Sequence, residues 1–268
     1  MRARPLLLLV LWLANPAFPA ENAAPPPPPD QIIEQMLERA AVLYTNSTSR
    51  HAYYQTTVVE YLDSNGQVKE RKEKFYEVTM IGTALRSRLL KIDGKPLPEK
   101  QLRDAEEDDR RRRSRLEGRD REQKDPYINR DLASRYTFKF EHTETLNGRP
   151  TWVISFRPRS DDLPVKKKQD RFLNKARGVV WIDVADREIA KADVSLSERI
   201  TLWGGIIGTL DIFDLTITRT RDAEGVWYNQ RTNLSVSGRK LFSPIRFRAR
   251  EETSGFRKLP ATPETPSH

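Results

Sequence analysis

A hydrophobic pattern of period two, repeated along most of the chain, limits the possible folds more than any other feature. Alternating apolar and polar residues predict strands with one buried face. The first runs are separated by Asn65-Gly66 and Asp93-Gly94, and such pairs adopt the positive φ angles of tight hairpins. We predict strands over residues 53–62, 67–81, 84–92, 178–184, 188–198, 209–220, 226–237 and 241–250. Two more are predicted on either side of Asn147-Gly148, one that begins at Tyr136 and one that contains Trp152, Ile154 and Phe156.

Many short strands with few helices favour a sandwich or barrel over alternating β-α units, so we predict a mainly β protein. Within 188–198, Ala190, Ala192, Val194 and Leu196 have the parity of a buried face. The lysine, aspartate and serines between them have the parity of a solvated one. Further turns are expected at 147–148, Asp186, 222–225 and Ser237-Gly238.

Two segments break this pattern. Residues 30–44 carry apolar side chains at helical spacing, and Asp30 is placed to cap an amphipathic helix that must pack on the sheet. Residues 98–124 are almost all polar, and each acid of 106–109 precedes an arginine of 110–113 by four positions. That spacing favours a solvated helix with salt bridges along it. The alternative is a nucleic-acid-binding patch, and because the acids neutralise the arginines locally we predict no nucleic-acid partner.

The termini predict export. Arg2 and Arg4 precede the apolar run 6–13, and small residues follow, so 1–20 has the pattern of a signal peptide cleaved after Ala20. The alternative is an uncleaved anchor. Residues 21–29 end in five prolines and predict an extended tether, 30–259 one domain, and 260–268 a disordered tail.

Composition narrows the function. The chain contains no cysteine, which excludes disulfides, thiolate metal sites and a lipid anchor on cysteine. Its formal charge of +9 favours anionic lipid headgroups as neighbours, unless the charge serves only solubility. We find no catalytic motif and predict no enzyme activity, cofactor or metal. Asp183 and Asp186 could be a carboxylate pair but are more typical of a turn.

An apolar, glycine-rich segment at 202–208 is unusual between two strands. Connections are normally polar, so Trp203, Ile206 and Ile207 could form a flexible lip that touches a ligand or a membrane. The alternative is a bend or bulge of a buried strand, which glycine permits.

Several short sequence segments resemble those of a known family. The order of the elements resembles it too: a signal peptide, a helix, a meander, a helical interruption and a second run of strands. The segments are 91–97 (KIDGKPL), 171–175 (RFLNK), 178–183 (GVVWID) and 225–227 (GVW). Over 30–259 the chain resembles the LolA-like and LolB-like outer-membrane lipoprotein-sorting proteins. The charged segment 98–124 looks larger than the helical plug of the carriers.

The resemblance implies a half-open antiparallel β-barrel, plugged by helices, with an apolar cavity that holds acyl chains in the carriers. For this chain it implies a soluble periplasmic carrier or chaperone whose partner is a lipid or a lipoprotein acyl chain. The alternative is an envelope sensor that uses the same cavity to regulate a partner protein. The candidate cavity residues are Trp152, Ile154, Phe156, Trp181, Phe213, Leu215, Ile217 and Trp227. The competing interpretation is that these residues form an ordinary closed core.

Overall fold

The computed structural model describes residues 25–46, 50–82, 84–104, 107, 110–111, 128–167, 169–202, 208–241 and 243–260. Its helices are α1 (Pro29–Asn46), α2 (residues 99–104, 107 and 110–111), α3 (Arg130–Ala133) and α4 (Asp170–Leu173). Its strands are β1 (Arg50–Leu62), β2 (Val68–Ile81), β3 (Ala84–Ile92), β4 (Lys95–Pro96), β5 (Tyr136–Leu146), β6 (Arg149–Pro158), β7 (Ala176–Asp183), β8 (Ile189–Leu196), β9 (Ile200–Leu202), β10 (Gly208–Arg221), β11 (Trp227–Lys240) and β12 (Ser243–Lys258).

All strands belong to one antiparallel sheet in the order β4-β3-β2-β1-β12-β11-β10-β8-β7-β6-β5, with β9 paired to the start of β10. Neighbours in sequence are mostly neighbours in space, except where β1 pairs with β12. That long-range pairing joins the first meander to the second run of strands. The sheet is not closed, because β4 and β5 lie at its two ends.

One face of the sheet carries the helix and the core. Opposite residues of an antiparallel pair share a face, so the register identifies one row that crosses seven strands. The row is Ile154, Val180, Ala192, Ile217, Thr232, Glu251 and Thr57. We call this face the concave face and the other the convex face.

Helix α1 covers the β5–β7 end of the concave face. Its side chains Ile32, Ile33, Met36 and Leu37 form a buried cluster with Trp152, Ile154 and Ile182. Ile32, Ile154 and Ile182 are fully buried. Burying an aliphatic side chain of this size contributes about 1.5–3 kcal/mol. The hydrophobic core therefore lies at one end of the sheet, beneath α1.

The concave face is curved around a cavity of about 230 Å³. The cavity is lined by Leu85 of β3 and by Arg219 of β10, and β3 and β10 are five steps apart in the sheet. In a flat sheet those strands would be about 24 Å apart, at roughly 4.8 Å per step. A single small cavity can touch both only because the sheet curls around it.

The predicted class is confirmed: the protein is mainly β, with an open antiparallel sheet and few helices, consistent with a half-open barrel. The predicted helix 30–44 is α1, although it begins at Pro29, so Asp30 lies in its first turn. The hairpin glycines Gly66, Gly94 and Gly148 have positive φ. In the charged segment Arg111 pairs with Glu107 at 2.6 Å in the predicted register, while 105–106, 108–109 and 112–127 lie outside the described residues.

One predicted turn is wrong. Ser237 and Gly238 lie inside β11, and the chain instead turns near Leu241, whose φ is 54°. A Cβ on Gly238 would lie 2.2 Å from the carbonyl oxygen of Thr209. Glycine is therefore present there because the backbones of β10 and β11 approach closely, which a sequence does not distinguish from a turn.

Candidate functional site

The cavity on the concave face is the candidate site. Six neighbouring strands, β3, β2, β1, β12, β11 and β10, contribute to it. Its walls mix aromatic, polar and charged side chains. They are Tyr53, Gln55, Met80, Leu85, Arg219, Trp227, Tyr228, Asn229, Arg231, Thr232, Glu251, Thr253 and Phe256.

Stacked rings form part of the cavity wall. Phe256 stacks on Tyr228 with ring centroids 4.0 Å apart and on His51 at 4.9 Å. Tyr53 lies beside Phe256 at 5.9 Å. His51 is 1% exposed, and within the described part of the chain neither of its ring nitrogens has a hydrogen-bond partner. The imidazole thus acts here as a packed aromatic ring behind Phe256.

An ion-pair network fixes Trp227 at the edge of the cavity. Arg149 donates to Asp183 at 2.5 and 2.8 Å and to Asp186 at 3.0 Å. The indole Nε1 of Trp227 donates to Asp186 at 2.9 Å, and Arg221 pairs with the same carboxylate at 3.1 Å. These fixed partners orient the indole.

Asp183 is the buried anchor of that network. Burial alone would raise the pKa of the Asp183 carboxyl, but hydrogen bonds from Arg149 and from the backbone N–H groups of Asp186 and Ala185 hold the pKa below its ordinary value. Those backbone bonds, at 2.8 and 3.0 Å, close the β7–β8 turn. The pair Asp183 and Asp186 therefore forms a turn, the interpretation that the sequence favoured.

Two guanidinium groups line the cavity, and both have glutamate partners. Arg219 donates to Glu188 at 2.8 Å and to the carbonyl oxygen of Ile189 at 2.9 Å. Arg231 donates to Glu252 at 3.0 Å. Their charges are therefore neutralised locally.

Glu251 differs from these groups. It is half-buried in the cavity wall, and it forms no ion pair with any residue that the structure describes. Its cross-strand neighbours are Thr57 on β1 and Thr232 on β11. Burial raises the pKa of Tyr53, and the charge of Glu251 raises it further. One acidic charge thus faces the cavity together with aromatic rings.

An apolar surface continues from the cavity along the concave face. It is a block of eight side chains, two on each of β10, β11, β12 and β1, and we call it the apolar strip. Its members are Phe213, Leu215, Leu234, Val236, Phe247, Ala249, Val59 and Tyr61. Tyr61 is 40% exposed and the other seven are half-buried. Ala249 is two residues from Glu251, so the strip adjoins the cavity directly.

The predicted cavity residues lie in different parts of the sheet. Trp152 and Ile154 lie in the buried cluster under α1, and Phe156 packs edge-on against Tyr136 at 5.2 Å. Phe213 and Leu215 belong to the apolar strip, with Ile217 next to it in the row of Glu251. Trp227 lines the cavity.

Trp181 lies on the convex face. It is paired across strands with Val153 and Lys191, and the ammonium of Lys191 is 4.0 Å from its ring centroid. Its Nε1 donates to Glu144. It is therefore outside both the cavity and the apolar strip.

The predicted lip residues Trp203, Ile206 and Ile207 lie outside the described residues. Their described neighbours Leu202 and Gly208 pair with each other at the start of β10. Arg219 of the cavity is eleven positions further along β10, which corresponds to about 36 Å at roughly 3.3 Å per residue. The segment is thus attached to the beginning of β10, whereas the cavity lies near the end of that strand.

Glu251 was missed because the predicted strand stopped at residue 250. The sequence feature that could have identified it is its position in the alternation of β12. Glu251 continues the inward-facing series Ile245, Phe247 and Ala249, and the outward-facing series is Arg246, Arg248 and Arg250. An acid at an inward-facing position is the exception that could have identified it.

Within the described ranges, no three histidine or acidic side chains are grouped to hold a metal ion. None of the described helices is long and apolar enough to cross a bilayer.

No family model and no curated protein matches the sequence. Among solved structures, the fold is similar to an outer membrane lipoprotein-sorting protein domain from Vibrio parahaemolyticus, with 13% identity, 88% of this chain and 96% of that chain covered, and a TM-score of 0.36. It is also similar to a DUF1329 family protein from Desulfovibrio piger (8% identity, 86% and 93% covered, TM-score 0.35).

A LolA superfamily protein from Nitrosomonas europaea is a further neighbour, with 9% identity, 87% and 95% covered and a TM-score of 0.31. The group that the sequence resembles is thus among the structural neighbours. The likeness spans most of each chain but is low in identity and in TM-score, so the proposals below rest on this chain's own residues.

Proposed function

We propose that this protein is a carrier, acting outside the cytoplasm, that binds the apolar chain of an amphiphile on the apolar strip. The observation that supports it is the half-exposed state of eight adjoining apolar side chains on the face that elsewhere forms the core. Contiguous apolar surface of this kind marks a binding site more often than a solvated surface. Binding is by burial, and no bond is made or broken.

The energetics suit reversible binding. Each methylene group moved from water to an apolar surface contributes about 0.8 kcal/mol. Part of that is offset by the loss of translational and rotational freedom on binding. A strip that is half-exposed shields only one side of a chain, so affinity should rise with chain length by less than the full increment, and release needs no covalent step.

The test uses neutral long-chain alcohols, because a neutral head separates chain binding from head recognition. We expect the protein to bind decanol, dodecanol and tetradecanol with affinity rising by about two- to fourfold per methylene, the upper value being the full burial increment. Displacement of a fluorescent neutral alkyl probe would measure this, below the concentration at which the chains aggregate.

The informative variant is Ala249→Trp, which fills the strip without opening a cavity. It should weaken alcohol binding at least tenfold with little change in the free energy of unfolding, because the site is half-exposed. Ser235→Trp is the matched control, since it adds the same ring to the convex face of β11, where Ser235 lies opposite Arg248. Unmodified protein that binds none of the alcohols would refute the carrier proposal. Equal effects of the two variants would show that the alcohols do not bind on the apolar strip.

A further inference from the structure

Resting on this proposed function, we propose that the cavity recognises an ammonium group at the end of the bound apolar chain, with Glu251 as its counter-ion. The class of ligand is then a cationic or zwitterionic amphiphile with an amine head. The tail would lie on the apolar strip and the head in the cavity.

The charges of the cavity support a cation. Among the described residues, three charged groups line it: Arg219, Arg231 and Glu251. The two guanidinium groups are matched by Glu188 and Glu252, which leaves one carboxylate. In a chain of formal charge +9, an unmatched carboxylate in a cavity wall is contrary to the overall charge and favours a positive ligand.

The acids of the convex face provide a comparison. Glu60 of β1 pairs with Arg248 at 3.3 Å, and Glu77 of β2 pairs with Arg257 at 3.5 Å. Glu251 instead has threonines as its cross-strand neighbours. The nearest cation in its row is Lys74, which lies one strand beyond Thr57, is exposed, and forms no ion pair with Glu251. A half-buried carboxylate without a cation is costly unless a ligand supplies one.

The rings beside Glu251 suit the same ligand. Tyr53, Tyr228 and Phe256 line the cavity. Trp227 lines it too, but its ring already lies 5.9 Å from the guanidinium groups of Arg149 and Arg219. Aromatic faces attract alkylammonium groups, and an adjacent carboxylate adds a charge-assisted hydrogen bond. The lining also offers neutral polar groups on Gln55, Asn229 and Thr253. These groups suit a solvated head far better than they suit a methylene chain.

The test compares three probes with the same tail and different heads: dodecylamine, dodecanol and dodecanoate. At pH 7 the amine is protonated and the acid ionised. We expect the amine to bind about tenfold or more tightly than the alcohol, as a charge-assisted contact predicts, and the acid to bind most weakly. Glu251→Gln should reduce the amine to the affinity of the alcohol and leave the alcohol unchanged.

Two further variants sharpen the result. Thr57→Lys places an ammonium directly opposite Glu251 and should weaken amine binding while removing no group from the cavity. Glu60→Gln makes the same charge change as Glu251→Gln on the convex face of β1, and it should leave the order of the three heads unchanged. Thermal unfolding checks that each variant is folded.

Equal binding of amine and alcohol by the unmodified protein, or a preference for the amine that survives Glu251→Gln, overturns the ammonium site but leaves the carrier proposal standing. Absence of binding for all three probes overturns both.

Discussion

At the scale of single residues, the ionised groups follow simple rules of burial and pairing. Asp170 is 2% exposed, and backbone hydrogen bonds from Lys167 and Lys166 lower its pKa, with Arg135 3.1 Å away. Burial opposes this shift without reversing it. Asp183 is held in the same way. Both carboxylates serve the fold, whereas Glu251 has no ion-pair partner in the part of the chain that the structure describes, which is why we propose it as a ligand's counter-ion.

We predict that Asp183→Asn lowers the free energy of unfolding at pH 7 by about 2–3 kcal/mol, because Arg149 and two backbone N–H groups lose a buried charged acceptor. The folded pKa lies below the unfolded value of about 3.9, so this contribution is complete above that pH and is lost as the pH falls.

The difference between variant and parent should therefore shrink below about pH 4, and denaturant unfolding over a range of pH values measures it. The exposed Asp161→Asn is the control and should change stability by less than about 0.5 kcal/mol. A difference that does not depend on pH would contradict the assigned role of the carboxylate.

At the scale of elements, local signals were predictable and bulges were not. Asn147-Gly148 specifies its hairpin through two positive φ angles. In the β1–β2 turn Gly66 has a positive φ, and the Asp63 carboxylate accepts hydrogen bonds from the backbone N–H groups of Asn65 and Gln67. The bulge at Ala190 instead changes which residues face inward: Ile189 lies opposite Ile182, and Lys191 lies opposite Trp181. Strict alternation therefore could not place Ile189, because the register shift depends on the partner strand. Trp181 lies on β7, where residues 179–182 are all apolar, so alternation does not distinguish its two faces.

The packing of α1 separates core residues from binding residues. Trp152 is 6% exposed in the cluster under α1, and we expect Trp152→Ala to cost about 3–5 kcal/mol of unfolding free energy while dodecanol binding is kept. Trp181→Ala is the matched control on the convex face. It should cost about 1.5 kcal/mol or less, since the ring is already partly in water.

Denaturant titration and probe displacement on the two tryptophan variants give both quantities. Loss of dodecanol binding in Trp152→Ala with unchanged stability would show that the ligand lies under α1 and not on the apolar strip.

At the scale of the whole molecule, the decisive contact is between β1 and β12, whose residues are about two hundred positions apart; it depends on chain closure over that distance. The sequence predicted strands on both sides but not this pairing. Because the pairing brings β1 and β12 together, it creates both the apolar strip and the environment of Glu251. The fold class could be predicted from the alternation of apolar and polar residues. The residues that form the cavity and the apolar strip could not, because they depend on this pairing.

Export is the remaining property of the whole chain. It is predicted by residues 1–20, and the described residues begin at Pro25, so the prediction rests on the sequence. With no cysteine, the domain needs no oxidising compartment to fold, so its compartment must be tested directly. Residues 1–20 fused to a reporter should carry it out of the cytoplasm, because Arg2, Arg4 and the apolar run supply the pattern of a secretory signal.

The full chain should be recovered from the same compartment with a mature N-terminus at Glu21, read by N-terminal sequencing. Replacing Leu8 and Leu9 by aspartate is the control and should keep the reporter inside, since the apolar run is what the export machinery recognises. An N-terminus that still begins at Met1 in the exported fraction would favour the uncleaved anchor instead. In that case the carrier would stay tethered to one membrane and could not shuttle between two.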